Sequence, residues 1–197
     1  SGANSSTPTS KMQISAEEIQ FGATSLSLTE GGNGGWVTTT IQGAMFDSIM
    51  DFRLMQDDET IPAEVITWDG TTQSVVTFNL NEVDEGTYDV VSELPNGSVS
   101  ILPDAFTVVE GKSVALGLKL DFPTTIRQGA YVPFTFAYAN GGTTDIEIAE
   151  FVLVIDNGYL SFTLQGLANE EQEIRYKPHG DTNSRGYVSI PPGEQEV

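Results

Sequence analysis

Apolar and polar residues alternate with a period of two along most of this chain. The segment 86–111 shows the pattern best, with apolar pairs at Tyr88 and Val90, Val99 and Ile101, and Phe106 and Val108. This period is typical of half-buried strands, whereas no segment sustains the 3.6-residue period of an amphipathic helix. The segment is predicted to form three strands, with a hairpin turn at Asn96-Gly97 and a break at 102–104.

The rest of the first half repeats this arrangement. Further strands are predicted at 36–41, 52–55, 61–68 and 75–80, with turn residues between them, and the glycine-rich segment 31–35 is predicted to be a turn. Short strands about every eight to twelve residues, separated by turn signals, are typical of an antiparallel β-sandwich.

Another set of strands is predicted for the second half of the chain, at 113–121, 130–139, 151–155, 159–164, 172–176 and 187–190. Its strongest turn signal is Asp156-Asn157-Gly158. Because Asn-Gly supplies the positive φ angles of a tight turn, this signal predicts a hairpin that joins 151–155 to 159–164.

The length of 197 residues is sufficient for two sandwich-sized domains, each with its own core. The predicted fold class is therefore all-β, with two tandem antiparallel immunoglobulin-like β-sandwich domains. The predicted boundaries are a flexible N-terminal tail at 1–13, a first sandwich at 14–111 and a second sandwich at 112–197. The tail is rich in Ser, Thr and Gly and poor in apolar residues, which disfavours independent order.

Two segments of the first half resemble one family. The stretch that ends this half has the pattern GxYxVxxxxPNGxxS followed by aFxV, and the stretch from Gly31 has the pattern GGxGGxVTxTIxGAxF. Both resemble the IPT/TIG domain, an immunoglobulin-like sandwich of multidomain receptors and bacterial surface proteins. The resemblance implies a module of a larger protein and implies no particular activity.

The second half resembles a different family. The segment GAYVPFTFAYANGGTTDIE, which precedes FVLVI, is similar to bacterial CARDB-like adhesion modules, another sandwich family. By this resemblance the second domain lacks one or more closing strands and is truncated, so the chain is expected to be cut from a longer polypeptide.

Composition narrows the classes of partner. The chain has 28 acidic and 8 basic residues, a formal net charge of -20 and no cysteine. Such a charge repels nucleic acid and anionic membrane surfaces. Carboxylates are also the ligands that Ca²⁺ prefers, so Ca²⁺ is a possible cofactor and no other cofactor is predicted. However, the acidic turns do not have the spacing of a calcium loop; these residues are Asp57, Asp58, Glu59, Glu82, Asp84 and Glu85.

Few residues offer catalytic chemistry. The only histidine, His179, lies near Asp181 and Ser184, but proximity in sequence is not the geometry of a catalytic triad, and no G-x-S-x-G motif is present. We therefore predict that the protein is not an enzyme.

The leading hypothesis is a non-catalytic structural, adhesion or assembly module of a larger secreted or cell-surface bacterial protein. Its partners would be other protein modules, including copies of itself, or extracellular polysaccharide. The alternative is a carbohydrate-binding accessory domain of a secreted hydrolase, with Trp36 and Trp68 as candidate glycan-stacking residues. For assembly, Met12 and Ile14 are the candidate apolar anchors of a strand-donor segment.

Overall fold

The computed structural model describes residues 19–112, 115–123, 125, 127–148, 150–163, 165–178 and 188–196. These residues form fifteen β-strands and one short 3-10 helix, so the protein is all-β as predicted.

Eight strands from the first half form one sheet in the order β1-β3-β6-β5-β4-β7-β8-β2. Neighbouring strands are antiparallel except β2 and β8, which are parallel. The strands are β1 Gly22–Leu26, β2 Glu30–Gly32, β3 Trp36–Ala44, β4 Asp51–Gln56, β5 Glu59–Trp68, β6 Gln73–Asn79, β7 Gly86–Glu93 and β8 Val99–Val109.

This sheet curls on itself because β5 changes partners along its length. Ile61, near its start, pairs with Leu54 of β4, and Ile66 pairs with Val76 of β6. Pro62 is the last residue of β5 that pairs with β4, and it precedes the irregularity between Ala63 and Val65 in the pairing with β6, a position where the missing N–H of proline is tolerated. The curl brings β1 against β8, where a Cβ atom on Gly22 would lie 1.9 Å from Ser100 Oγ.

The curled sheet encloses the main hydrophobic core. Along β6 the side chains alternate between buried and half-buried, as a period of two requires. Each fully buried aliphatic or aromatic side chain contributes about 1.5–3 kcal/mol to folding. The largest buried members of this core are Tyr88, Phe52, Phe78, Phe106, Ile41, Leu54 and Leu80.

The predicted hairpin at Asn96-Gly97 is confirmed. Gly97 has a φ of 83°, and its N–H donates to the carbonyl of Leu94 at 2.9 Å. The predicted break at 102–104 is wrong, because β8 continues to Val109 with a bulge opposite Asp89. Asp104 has a φ of 50°, and its N–H donates to Asp89 Oδ1 at 2.8 Å, so a side chain of β7 stabilises the bulge.

The second half forms three small sheets. Strands β15, β10 and β9 form one sheet in that order, β11 pairs with β14, and β12 pairs with β13. A 3-10 helix, Gln165–Asn169, precedes β13. The strands are β9 Leu116–Asp121, β10 Thr135–Asn140, β11 Ile146–Ile148, β12 Phe151–Val154, β13 Glu173–Tyr176, β14 Val188–Ile190 and β15 Gln195–Glu196.

The hairpin predicted at Asp156-Asn157-Gly158 is wrong. β12 pairs with β13, so that Phe151 lies opposite Tyr176, and residues 159–163 contain no strand. The ring of Phe151 packs 5.0 Å from Phe136 and 4.9 Å from Tyr138, both on β10. We attribute the difference to this packing, which fixes β12 in an aromatic cluster that a local turn signal does not reveal.

Tyr88 forms a polar contact at the edge of the main core. Its side chain is fully buried, and its hydroxyl lies 2.7 Å from Glu59 Oε2 and 3.0 Å from the carbonyl oxygen of Asp84. The hydroxyl has one proton to donate to these acceptors. Burial, the hydrogen bond to Glu59 and the nearby negative charges raise the pKa of Tyr88 well above its usual value of 10.

Replacing Tyr88 with phenylalanine tests this contact. We expect Tyr88→Phe to lower the free energy of unfolding by about 1–3 kcal/mol, because Glu59 and the Asp84 carbonyl lose a donor. Urea unfolding measures the change. Tyr131→Phe, at a site that is 75% exposed, is the matched control and should have little effect. An equal loss in both variants would contradict the role of the Tyr88 hydroxyl.

The raised pKa of Tyr88 also predicts alkaline destabilisation. The folded state keeps this proton above pH 10, where an unfolded tyrosine loses it, so the stabilising contribution is complete below pH 10 and falls as the pH rises toward the folded pKa. The slope from one such group is at most about 1.4 kcal/mol per pH unit. Urea unfolding at pH 9, 10 and 11 should show this loss of stability with rising pH in the wild type and in Tyr131→Phe. The loss due to Tyr88 should be absent from Tyr88→Phe.

Candidate functional site: a polar junction and an exposed apolar strand

The two halves of the chain meet at a junction made of backbone and polar side-chain contacts. The loop 141–145, which follows β10, lies against the glycine-rich segment 31–35 and the start of β3. The N–H of Gly32 donates to the carbonyl of Thr143 at 2.7 Å, and the N–H of Asp145 donates to the carbonyl of Trp36 at 2.8 Å. The loop is therefore held by main-chain hydrogen bonds at Thr143 and at Asp145.

Asp145 provides the principal side-chain contact of the junction. Its buried carboxylate accepts from the Thr38 N–H at 3.0 Å and from Thr38 Oγ1 at 2.6 Å. Thr77 Oγ1 lies 2.8 Å from Thr38 Oγ1, so Thr77 donates to Thr38 once the Thr38 proton is directed to Asp145. Hydrogen bonds to an ionised group are among the strongest in proteins, and this pair joins residues 107 positions apart.

The glycines at 31–35 allow the close approach. A Cβ atom on Gly32 would lie 2.2 Å from Thr143 Oγ1 and 2.9 Å from the Cα of Gly111. The Thr143 hydroxyl in turn accepts from the N–H of Lys112 at 2.8 Å. The predicted turn is therefore confirmed only from Asn33 onward, since Gly31 and Gly32 belong to β2, and the segment is also a contact surface for the second half, which was not predicted.

Two asparagines organise the chain on either side of this contact. Asn33 accepts from the N–H of Gly111 at 2.9 Å and donates to the carbonyl of Val83 at 3.2 Å. The buried Asn140 donates to the carbonyls of Thr144 and Ile190, both at 2.8 Å. Each is the first residue of an Asn-Gly-Gly segment, and this repeated motif is the one sequence signal that could have indicated the junction.

A row of exposed apolar side chains lies on β9, beyond the junction. Leu118 lies opposite Tyr138 and Leu120 opposite Phe136 in the pairing of β9 with β10. Directly opposite residues share a face of a sheet, so the leucines point to the same side as the aromatic cluster. Even so, the row is 37–58% exposed; we call these residues the apolar row, namely Leu116, Leu118, Leu120 and Phe122.

The apolar row lies at the edge of its sheet. β10 pairs with β9 on one side, and no strand among the described residues pairs with the other side of β9. The rings of Phe151 and Tyr176 pack against Phe136 and Tyr138 of β10. An edge strand with apolar side chains offers unpaired backbone groups and apolar surface to another strand.

The structure does not bring the two candidate glycan-stacking tryptophans together. Trp36 lies opposite Asn79 and Trp68 opposite Ser74, at the two ends of β6. Ser74 and Asn79 are five residues apart, which corresponds to about 17 Å along β6. Because side chains alternate between faces along β6, the rings are also on opposite faces and share no platform. Contact of either ring alone with a glycan stays a prediction.

Several other predicted residues lie outside the described part of the chain. These include the strand-donor anchors Met12 and Ile14, the tail at 1–13, and the residues considered for catalysis, His179, Asp181 and Ser184. Within the described residues, no group of three or more His, Cys, Asp or Glu side chains could hold a metal ion.

An open groove of about 460 Å³ runs between β1 and β8. Asp104 provides its single carboxylate, and the other lining residues include Ser25, Thr29 and Thr107. Glycoside hydrolysis ordinarily needs two carboxylates that face each other across the scissile bond, and this groove does not contain such a pair.

No protein-family model matches the chain, and no curated protein matches it in a sequence comparison. Among the described residues, no helix has the length and apolar character needed to cross a membrane.

The junction is tested by removing the donor that faces Asp145. We expect Thr38→Val to lower the free energy of unfolding by about 1–3 kcal/mol, because Asp145 stays buried and loses one hydrogen bond. A double-mutant cycle with Asp145→Asn should give a coupling energy of about 0.5–3 kcal/mol between the two residues. Asp156→Asn, on an exposed loop, is the control for loss of one carboxylate. Additive effects of Thr38→Val and Asp145→Asn in urea unfolding would contradict the proposed contact.

Calcium is tested by thermal unfolding with millimolar Ca²⁺ and, separately, millimolar Mg²⁺. We expect small and equal increases in Tm, because either ion screens the repulsion within a chain of charge -20. A rise that is specific to Ca²⁺ and is reversed by a chelator would instead indicate a calcium site, since a ligand of the native state stabilises it by mass action.

Proposed function

We propose that this chain is a non-catalytic structural or assembly module of a larger secreted or cell-surface bacterial protein. In this proposal it consists of two tandem immunoglobulin-like units, an IPT/TIG-like sandwich at 14–111 and a CARDB-like sandwich at 112–197. Its partners are other protein modules, including further copies, that pair with its exposed strand edge.

The strand order supports the immunoglobulin-like assignment of the first unit. The sequence β1-β3-β6-β5 matches the A-B-E-D sheet of that fold, and β4-β7-β8 matches C-F-G. Tyr88 lies near the start of β7, the F-like strand, and its hydroxyl contacts the backbone of Asp84, four residues upstream. A tyrosine in this place with this contact is the tyrosine corner of immunoglobulin-like domains.

The junction supports a spacing role. Asp145 and Thr143 attach the second half to β3 and to the glycine-rich segment through directional hydrogen bonds. Such bonds fix the position of one element on another more narrowly than apolar contact does. A module that holds its neighbours at a set distance needs this kind of attachment.

The observation that carries the proposal is the apolar row on β9. It combines exposed leucines, a free strand edge and a position away from the main core. Strand addition at such an edge uses main-chain hydrogen bonds for affinity and alternate side-chain pockets for specificity.

The proposal is tested by placing charges in the apolar row. We expect Leu118→Asp/Leu120→Asp to reduce the concentration-dependent increase in mass measured by light scattering, because charged side chains on an edge oppose strand addition. Ile49→Asp is the matched control, since Ile49 is 68% exposed and lies between β3 and β4, outside the apolar row.

Two outcomes would overturn assembly through β9. One is a wild type that stays monomeric at high concentration and does not bind modules of its parent protein. The other is an association that the charged variant leaves unchanged. Polysaccharide binding that is lost in Trp68→Ala, with the fold retained by circular dichroism, would instead favour the carbohydrate-binding alternative.

A further inference from the structure

We infer that the strand that pairs with β9 is residues 10–16 of a second copy of this chain, so that copies join head to tail. This inference rests on the proposed assembly function and specifies its partner.

The acceptor is the outer edge of β9 together with the apolar row. β9 is six residues long, and its exposed apolar side chains recur every second residue at Leu116, Leu118 and Leu120. A matching donor needs about six residues without proline, with apolar side chains at the same spacing of two.

Residues 10–16, with the sequence SKMQISA, meet these requirements. The segment contains no proline or glycine, and Met12 and Ile14 alternate with the polar residues Lys11, Gln13 and Ser15. A strand made from it would present Met12 and Ile14 on one face and the polar residues on the other.

The charge of the segment also favours it as the donor. Residues 1–16 contain one lysine and no Asp or Glu, in a chain whose 28 acidic residues give a net charge of -20. Most other segments of comparable length would add negative charge to a chain whose net charge is already negative. This segment meets no such repulsion, because its only charged side chain is that of Lys11.

The position of the segment assigns it to another copy. β1 begins at Gly22, which pairs with Ala44 at the end of β3, whereas Trp36 at the start of β3 contacts Asp145 at the junction. The eight steps from Ala44 to Trp36 correspond to about 27 Å of strand. The six residues from Ala16 to Gly22 reach at most about 22 Å when fully extended. Within one copy Ala16 therefore falls short of the junction, so residues 10–16 cannot pair along the whole of β9.

A donor at one end of the molecule and an acceptor at the other form a heterologous interface. Such an interface is not closed by two-fold symmetry, so copies add in a row. This arrangement differs from the symmetric pairing of two β9 strands, which would stop at a dimer.

The experiment uses two full-length variants, one blocked as donor and one blocked as acceptor. The donor-blocked variant is Met12→Asp/Ile14→Asp, and the acceptor-blocked variant is Leu118→Asp/Leu120→Asp. We expect the association constant of each variant alone, measured by analytical ultracentrifugation, to be at least about tenfold lower than that of the wild type. Mixed in equal amounts, they should form a one-to-one dimer that does not grow, because one intact donor and one intact acceptor remain.

A matched control separates the apolar anchors from the added charge. Gln13→Asp/Ser15→Asp introduces the same two charges on the opposite face of the donor strand, and we expect it to retain most of the association. A labelled peptide of residues 9–17 should bind the donor-blocked chain and not the acceptor-blocked chain. Circular dichroism and urea unfolding verify that both blocked variants fold.

Each remaining outcome overturns the inference in a distinguishable way. Association that survives donor blocking but not acceptor blocking, with no one-to-one dimer of the two variants in the mixture, indicates symmetric pairing of β9 and leaves the assembly function standing. If association is insensitive to both blocked variants, or the wild type stays monomeric and the peptide does not bind, the inference fails. If the acceptor-blocked variant associates as strongly as the wild type, the apolar row also no longer supports the proposed function.

Discussion

The hydrogen bonds between Asp145 and Thr38 are the contact on which the relation between the two halves of this structure depends. The main core lies within the curled sheet, and the smaller aromatic cluster lies among β10, β12 and β13. Between them, the loop 141–145 is held by the Asp145 carboxylate and by backbone hydrogen bonds to Gly32 and Trp36. A buried carboxylate is stable only when hydrogen-bond donors face it. The Asp145 contact therefore requires that the loop 141–145 keep its position against β3.

The glycine-rich segment has its physical explanation in the same contact. A side chain at Gly32 would collide with Thr143, and so close an approach of two backbones is possible only without a Cβ atom. Asn33, the next residue, and Asn140 have related roles, since the side chain of each forms hydrogen bonds to backbone groups that are distant in sequence. Local turn chemistry and long-range contact are combined in the same few residues.

Local signals in the sequence were sufficient to predict some elements of the fold and failed for others. The alternation in β6 and the Asn96-Gly97 turn involve adjacent residues, and both were predicted correctly. The Asp156-Asn157-Gly158 signal was equally local but gave the wrong hairpin, because Phe151 packs with rings that are distant in sequence. The contact of Asp145 with Thr38 joins residues 107 positions apart, and the curl depends on which part of β5 pairs with β4 and which with β6, so neither follows from the pattern of adjacent residues.

The acidic composition and the apolar row have opposite effects on association, and together they suggest how it could be selective. An exposed edge of leucines would pair with many strands. A net charge of -20, in contrast, gives a general repulsion between copies of the chain and between the chain and other acidic partners. A segment with apolar residues at a spacing of two and no negative charge overcomes this repulsion at the lowest electrostatic cost. In this chain such a segment precedes the first described strand, and the apolar row lies in the other half of the molecule. In the proposed assembly, selectivity would follow from the uneven distribution of charge along the chain, and the leucines would supply affinity without having to discriminate between partners.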